Sequence, residues 1–464
     1  MIKFGTDGWR GLIARDFTFD NLQIAALATV NYLKKLGKEN LTAVVGYDTR
    51  FLSNKFAEEV AIIFAENGIK TYLSCGISST PQVSFCTKTY NADIGIIITA
   101  SHNPAEYSGY KLKANYGGPA APKTIAQVEA EIPALLENRP NLHLKPLNYY
   151  LENNLIEYRN FKFDYLDYIR SKIDIDGINK SHLKIIFDPM HGAGINTLGY
   201  LFPYVKEIHS DYNPSFGEID HPEPIESMLG TLKALTAQGY DIGLASDGDA
   251  DRLGAVDEKG QFIDAHKIYM LILKYLYEFK GLRGKIVKTV SLTSMVDKFA
   301  NKYNIELIET PVGFKYAADL MSKGGVLIGG EESGGLGTCL HIPERDGIFN
   351  GLLLIEMMLN RGKKISELVQ ELNDEFGEHF FLRIDQKVTE EQKISILNAA
   401  ARKPEKIGDY QVVEINTRDG YKFIIENGWL LIRASGTEPL IRFYAEGDSR
   451  QKVETLIQSA LNWK

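Results

Sequence analysis

Leu41-Thr42-Ala43-Val44-Val45-Gly46-Tyr47 is a short apolar run, and a helical pattern from Ser53 to Glu66 follows it before Gly68. Ile69-Lys70-Thr71-Tyr72-Leu73 then gives a second short run of strand-forming residues. A buried strand, a helix opened by Ser53 and stopped by Gly68, and another strand make a βαβ unit. Such a unit requires a mainly parallel sheet covered on both faces. The fold class is therefore α/β.

The same alternation extends on either side. Residues 94–99 read as a third strand. The pattern returns with a strand over 183–187, a helix expected over 192–200 and a strand over 240–245. It returns again with strands over 285–290, 305–309 and 326–329, and helices over 294–303 and 314–321. The result is three similar α/β domains. The tail differs: short runs over 410–415, 421–425, 429–433 and 441–445 are punctuated by Arg418-Asp419-Gly420 and Glu426-Asn427-Gly428. Runs joined by such turns predict hairpins in an antiparallel sheet, and a helical pattern over 451–461 closes a smaller C-terminal α+β domain. Polar stretches near 140–155, 254–262 and 368–376 divide the chain into domains 1–145, 155–255, 256–370 and 371–464.

Composition limits the function. The 464 residues are 44% hydrophobic and 24% charged, which describes a soluble globular chain with several cores. A formal net charge of −8 argues against non-specific nucleic-acid binding. An acidic protein that takes an anionic ligand must gather Arg and Lys locally, so basic residues beside phosphate-seeking loops carry the weight. Cys75, Cys86 and Cys339 are odd in number and lack C-x-x-C spacing, which predicts buried reduced thiols. No apolar run approaches the ~18 residues a membrane span needs, and Met1-Ile2-Lys3-Phe4-Gly5 shows no apolar leader. A cytoplasmic location with no membrane partner is expected. The oligomeric state is not written in the sequence.

Open α/β sheets carry their sites beyond the carboxyl ends of the strands. After residues 94–99 comes Ala100-Ser101-His102-Asn103-Pro104. Serine is a weak nucleophile until a base or a metal activates it, and the same residues also suit an ordinary turn. After residues 240–245 comes Ser246-Asp247-Gly248-Asp249-Ala250-Asp251-Arg252. Three carboxylates at alternate positions suit Mg²⁺, which takes oxygen ligands. An EF-hand reading fails because the loop follows a buried strand and lacks the Glu at its twelfth position.

After residues 326–329 comes Gly330-Glu331-Glu332-Ser333-Gly334-Gly335. Glu331 and Ser333 project to one side of an extended loop, where a carboxylate and a hydroxyl suit vicinal sugar hydroxyls. A Gly-rich turn with a solvated Glu pair reads equally well. Arg433-Ala434-Ser435-Gly436-Thr437-Glu438-Pro439 follows a tail strand. Arginine offers forked donors to phosphate, the backbone around Gly436 can form an anion nest, and Arg442 lies close in sequence. Near the start, Phe4-Gly5-Thr6-Asp7-Gly8-Trp9-Arg10-Gly11 offers Arg10 to a phosphate. Lys111 is a proton-transfer candidate if its surroundings lower its pKa, although most such lysines are surface charges.

Taken in order, residues 4–11, Thr99 to Pro104 with Tyr107, Gly109 and Lys111, and 247–252 resemble the α-D-phosphohexomutase family. Thr310-Pro311-Val312-Gly313-Phe314-Lys315, residues 330–334 and residues 433–439 continue the resemblance over essentially the whole chain. It implies four domains around a central cleft and a phosphoserine cycle. Ser101 would carry the phosphoryl group, with Asp247, Asp249 and Asp251 holding Mg²⁺ against one of its oxygens. Arg10, Arg252 and His102 would flank the carrier, and Lys111 matches the family's acid/base lysine. Gly313, Glu331, Ser333 and Arg345 would bind the sugar, while Arg433, Ser435, Gly436 and Thr437 would hold the phosphate not in transfer. Glucose 1,6-bisphosphate would serve as activator and intermediate.

Gly335 departs from mannose- and glucosamine-active relatives, which often carry His there. His341-Ile342-Pro343-Glu344-Arg345-Asp346-Gly347 resembles the phosphoglucomutase branch, with Arg345 where Lys is common. Glucose phosphate is therefore the expected substrate, with mannose and glucosamine phosphates as alternatives. A metal-dependent sugar phosphatase would release phosphate from the same serine. A non-catalytic sugar-phosphate-binding paralogue would be expected to lack Ser101 or one of the aspartates, and none is missing.

Overall fold

The computed structural model describes residues 2–5, 8–434 and 440–463. Four sheets follow one another along the chain. The first has seven strands. Ile94–Ile98, Thr42–Tyr47, Lys70–Ser74 and Ile156–Arg159 run parallel, while Trp9–Leu12 and Tyr107–Ala114 are added antiparallel beyond Ile94–Ile98. The helix Ser53–Glu66 has the expected bounds, and its apolar face (Phe56, Val60, Ile63 and Phe64) is buried.

The second sheet orders Phe262–Ile263, Leu253–Asp257, Ile242–Ser246, Ile185–Asp188 and Lys206–Glu207. The third orders Leu307–Thr310, Lys285–Thr289, Val326–Gly330 and Leu336–Thr338. Both are mixed, each with a parallel centre. The fourth is antiparallel throughout its six strands, and helix Arg450–Leu461 packs against it. Three mixed α/β units and a smaller antiparallel unit make the architecture. Strand Ile156–Arg159 completes the first sheet, strand Leu253–Asp257 spans the expected division at 255/256, and helix Ile365–Phe376 occupies the whole stretch 368–376.

Two expectations need correction. Residues 192–200 form turns instead of a helix. Glu207 takes the backbone donors that a helix would use: Oε2 accepts from Asn196 N and Oε1 from Gly199 N, both at 2.8 Å. Met190, His191 and Asn196 also stand in left-handed backbone, which helix propagation does not allow. Among the cysteines only Cys86 is buried; Cys75 and Cys339 are exposed. They follow strand ends, where the chain has already reached the surface.

Two helices tie the second and third units together. Ala265–Lys274 and Gly347–Arg361 each pack against strands of both the second and the third sheet. Residues Gly347 to Met358 are all buried, so this helix shows almost no polar face. Its start is fixed at the functional edge, where Gly347 N donates to Ala250 O at 3.0 Å and Asp346 caps Phe349 N at 2.9 Å. Among the described residues no helix is long and apolar enough to cross a membrane.

Candidate active site

Ser101 sits just beyond strand Ile94–Ile98 with a left-handed φ of 54° and 1% exposure. That backbone costs roughly 1–2 kcal/mol for a residue with a Cβ, so the surroundings must hold it. Thr99 Oγ1 accepts from Ser101 N at 2.9 Å. Arg50, a residue that the sequence reading missed, does more. Its terminal nitrogens donate to the carbonyl oxygens of Ser101, Asn103, Pro104 and Tyr107 at 2.6, 2.6, 2.7 and 2.9 Å. Asp48 pairs with its Nε at 3.2 Å, and the Phe216 ring of the second unit lies 4.9 Å from the guanidinium. No local motif marks Arg50, because its four acceptors lie more than 50 positions away.

The aspartate loop follows strand Ile242–Ser246 and meets the first unit directly. Ser101 Oγ donates to Asp247 Oδ2 at 2.9 Å. A Cβ on Gly248 would lie 2.3 Å from Ser101 O, so only glycine lets the two backbones meet. Thr80 N donates to Asp249 O at 2.9 Å and straps the loops together.

Asp247 has both oxygens engaged by the protein, Asp249 and Asp251 one each. Asp247 Oδ1 accepts from Asp251 N and Arg252 N at 3.0 and 3.1 Å. Asp249 Oδ2 accepts from Thr80 Oγ1 and, at 2.7 Å, from Lys111 Nζ. Asp251 Oδ2 accepts from Arg345 at 2.5 Å. Asp249 Oδ1 and Asp251 Oδ1 are buried and have no hydrogen-bond partner. One oxygen from each of the three buried carboxylates lies within 4.8 Å of the others. This donor set fits a hard divalent cation such as Mg²⁺.

The electrostatics agree. Burial, then the charges of Asp249 and Asp251, push Asp247 well above the usual carboxylate range. Burial also raises Asp251, against the opposing pull of Arg345. For Asp249 burial acts upward, but the charge and hydrogen bond of Lys111 outweigh it and hold the carboxyl low. A cation at this point would relieve the repulsion.

Lys111 is not a surface charge: it is fully buried on strand Tyr107–Ala114, 2.7 Å from Asp249 and 3.6 Å from Asp251. Arg252 pairs with Glu223 at 2.8 Å and lies 3.8 Å from Asp247. Arg10, on strand Trp9–Leu12, donates to Asn103 of the Ser101 loop. Burial, followed by the charges of Arg252 and Arg10, pulls His102 far below its ordinary value and keeps it neutral.

In the third unit Ser333 Oγ donates to Glu331 Oε1 at 2.9 Å, which brings the expected carboxylate and hydroxyl together. Arg345 donates to the same oxygen at 2.8 Å. Gly313 stands at the head of helix Phe314–Ser322, and the neighbouring Val312 N is held by Asp419 Oδ2 of the tail at 2.9 Å. The same Asp419 oxygen accepts from Arg433 Nε at 2.9 Å. Arg442 is the cross-strand partner of Arg433, and Asp385 holds both Arg442 and Arg383. Arg383 was not marked by any motif; it joins the others only through strand register. Its charge bears on His102 and on Glu223, which puts Arg383 within electrostatic reach of the Ser101 loop. Ser435, Gly436 and Thr437 lie outside the described residues.

Comparison with known proteins agrees with this division. The family descriptions "Phosphoglucomutase/phosphomannomutase, alpha/beta/alpha domain I", "domain II" and "domain III" match residues 1–139, 163–260 and 264–376. The corresponding C-terminal domain matches 384–462. A phosphoglucomutase/phosphomannomutase of Thermococcus kodakarensis is 32% identical over 460 residues, 98% of this chain and 96% of the relative. A phosphoglucosamine mutase of Carboxydothermus hydrogenoformans is 31% identical over 477 residues, 99% and 98% of the two chains. A solved structure from Thermus thermophilus, provisionally named a phosphomannomutase, superposes with a TM-score of 0.86 at 32% identity, covering 99% and 98%.

Proposed function

This chain belongs to the phosphoglucomutase/phosphomannomutase family, the α-D-phosphohexomutases, and from that premise we propose that it interconverts glucose 1-phosphate and glucose 6-phosphate through a phosphoserine at Ser101. Membership makes it a phosphohexomutase, and so an isomerase. The observation that carries the phosphoserine reading is the 2.9 Å contact of Ser101 Oγ with Asp247, inside a buried carboxylate trio that leaves Asp249 Oδ1 and Asp251 Oδ1 for a cation.

In this reading the phosphoryl group on Ser101 Oγ passes to the free hydroxyl of a bound hexose phosphate. The Oγ–P bond breaks, an O–P bond to the sugar forms, and the hydroxyl proton leaves to a nearby base. Lys111, paired with Asp249 and Asp251 as an ammonium, would take that proton only in its neutral form, which a cation on those carboxylates would favour. Arg10 and Arg252 stabilise charge on the transferring group, and His102, lowered by burial and by their charges, adds no third cation. Asp247, Asp249 and Asp251 would hold Mg²⁺, which when bound offsets phosphoryl charge as a Lewis acid. Glu331 and Ser333 grip the sugar hydroxyls, and Arg433 with residues 435–437 holds the distal phosphate. The glucose 1,6-bisphosphate formed then turns over, and its other phosphate returns to Ser101.

A second reading, with mannose or glucosamine phosphate as substrate, is favoured by the names of the relatives. The test pairs intact and peptide mass spectrometry for phosphate on Ser101 with coupled assays on the 1-phosphates of glucose, mannose and glucosamine. Mg²⁺ and the matching bisphosphate would be present. Fastest turnover of glucose phosphate is expected. Preference for either other sugar selects the second reading, and release of inorganic phosphate without isomerisation would overturn both.

A further inference from the structure

Arg345 lies between strand Leu336–Thr338 and helix Gly347–Arg361 and is 7% exposed. One terminal nitrogen reaches Asp251 Oδ2 at 2.5 Å and the other reaches Glu331 Oε1 at 2.8 Å. These carboxylates belong to loops of different sheets. The guanidinium also stands 5.8 Å from the Phe314 ring.

The backbone on either side is fixed. Glu344 Oε2 accepts from Ser84 Oγ and Lys113 Nζ of the first unit, both at 2.8 Å. Asp346 Oδ2 accepts from Tyr165 at 2.6 Å and lies 2.9 Å from His341 Nε2. A long side chain springing from so constrained a base has little freedom in where its fork ends.

Gly335 supplies an independent observation. A Cβ there would lie 2.3 Å from Arg345 Cδ and 3.2 Å from Glu331 Oε1. Gly335 is not among the positive-φ glycines, so its backbone conformation does not demand glycine. The demand is for space: the stem of Arg345 crosses the backbone at this residue.

We infer that Arg345 and Gly335 form one positioning unit that couples the cation loop to the sugar loop. Arg345 engages Asp251 Oδ2 and so leaves Oδ1 for the cation, and through Glu331 Oε1 it aligns the carboxylate that meets the sugar. The guanidinium stays charged at any working pH, so its contribution is orientation and charge, not proton transfer. Gly335 keeps the path of that side chain open. The inference rests on the phosphohexomutase reading of the site above.

The test is a double-variant cycle read by Mn²⁺ binding, with the metal alone as probe, and by KM and kcat for hexose phosphate. Arg345→Ala is expected to weaken Mn²⁺ about 10- to 100-fold, as loss of an outer-shell partner does, and to raise KM. Gly335→Ala is expected to reproduce both effects in the native background and to add nothing in the Arg345→Ala background. Arg345→Lys, with one point charge for two carboxylates, should fall between. Should Arg345→Ala fail to fold, Gly335→Ala and Arg345→Lys carry the comparison. Native Mn²⁺ affinity in Gly335→Ala, or additive losses in the double variant, would overturn the inference. If Asp249→Asn binds Mn²⁺ as tightly as the native protein, the reading of the cation site itself is what fails.

Discussion

Arg50 donates to the carbonyl oxygen of Ser101 at 2.6 Å, and each residue is only 1% exposed. The same guanidinium serves three more carbonyls of the loop, so it acts as a template for the backbone that presents Ser101. Arg50→Lys keeps the charge but cannot satisfy four acceptors and Asp48 at once. It should lower kcat by about 10²-fold, as an ångström-scale misplacement does, with KM little changed. Arg50→Ala leaves Asp48 buried and unpaired and should cost about 3–5 kcal/mol. Steady-state kinetics and urea unfolding check the two parts. A rise in KM at constant kcat would contradict the template role.

Ser101 separates chemistry from strain. Ser101→Ala and Ser101→Gly should both lose phosphate from the peptide and fall to background activity. They should differ in stability, with the glycine variant more stable than the alanine variant by about 1 kcal/mol, because only glycine adopts a φ of 54° without penalty. Denaturant midpoints of the pair measure this; equal midpoints would mean that the backbone there is not strained.

The buried trio should make the folded state sensitive to divalent ions. Mg²⁺ at about 100 times its dissociation constant should add about 2.7 kcal/mol to the stability of the unit that carries it. Asp249→Asn should abolish that increment while leaving the fold intact. Unfolding in Mg²⁺ and in chelator, for both proteins, is the measurement. A native protein indifferent to Mg²⁺ would rule out the carboxylates as a cation site.

Lys422 provides a pH test away from the active site. Its ammonium donates to Val290 O of the third unit at 2.7 Å, over the Trp429 ring at 4.4 Å. Burial, followed by the charge of Lys288, pulls it down to about 8. An unfolded lysine titrates at about 10.4, so between these values the unfolded chain holds the extra proton. The contribution of Lys422 is therefore full above the unfolded value and is lost as pH falls through about 8. The stability difference between native protein and Lys422→Met should grow as pH rises across that window, by at most about 1.4 kcal/mol per unit. A flat difference would show that Lys422 titrates normally.

What could be read from the chain depended on how local the signal was. Helix Ser53–Glu66 and strand Tyr421–Ile425 were legible to the residue because period and turn lie within them or beside them, although Ser53 does not cap its helix: Leu52 stands at the N-cap and Ser53 Oγ donates to Asp48. Asp247, Asp249 and Asp251 were legible because three acids at a strand end have few structural uses. Arg50 and Arg383 were not, since their partners arrive through tertiary contact and strand register. Helix Gly347–Arg361 hid for a different reason: buried nearly all round, it offers little polar periodicity to detect. The turns at 192–200 were misread because Glu207, remote in the local pattern, takes the donors a helix needs. Gly335 showed as a departure from relatives, but only the path of Arg345 gives it a physical reason.

Gly248 passes Ser101 with no room for even a methyl group, and Thr80 straps the same loop to the first unit. Ser101 and the three carboxylates therefore meet only when the first and second units are fully seated. Before that, Ser101 is an ordinary weak nucleophile and the aspartates are an ordinary acidic turn. On the proposed function, assembly works as a safety catch: a half-unfolded molecule is expected to transfer no phosphoryl group, to sugar or to water.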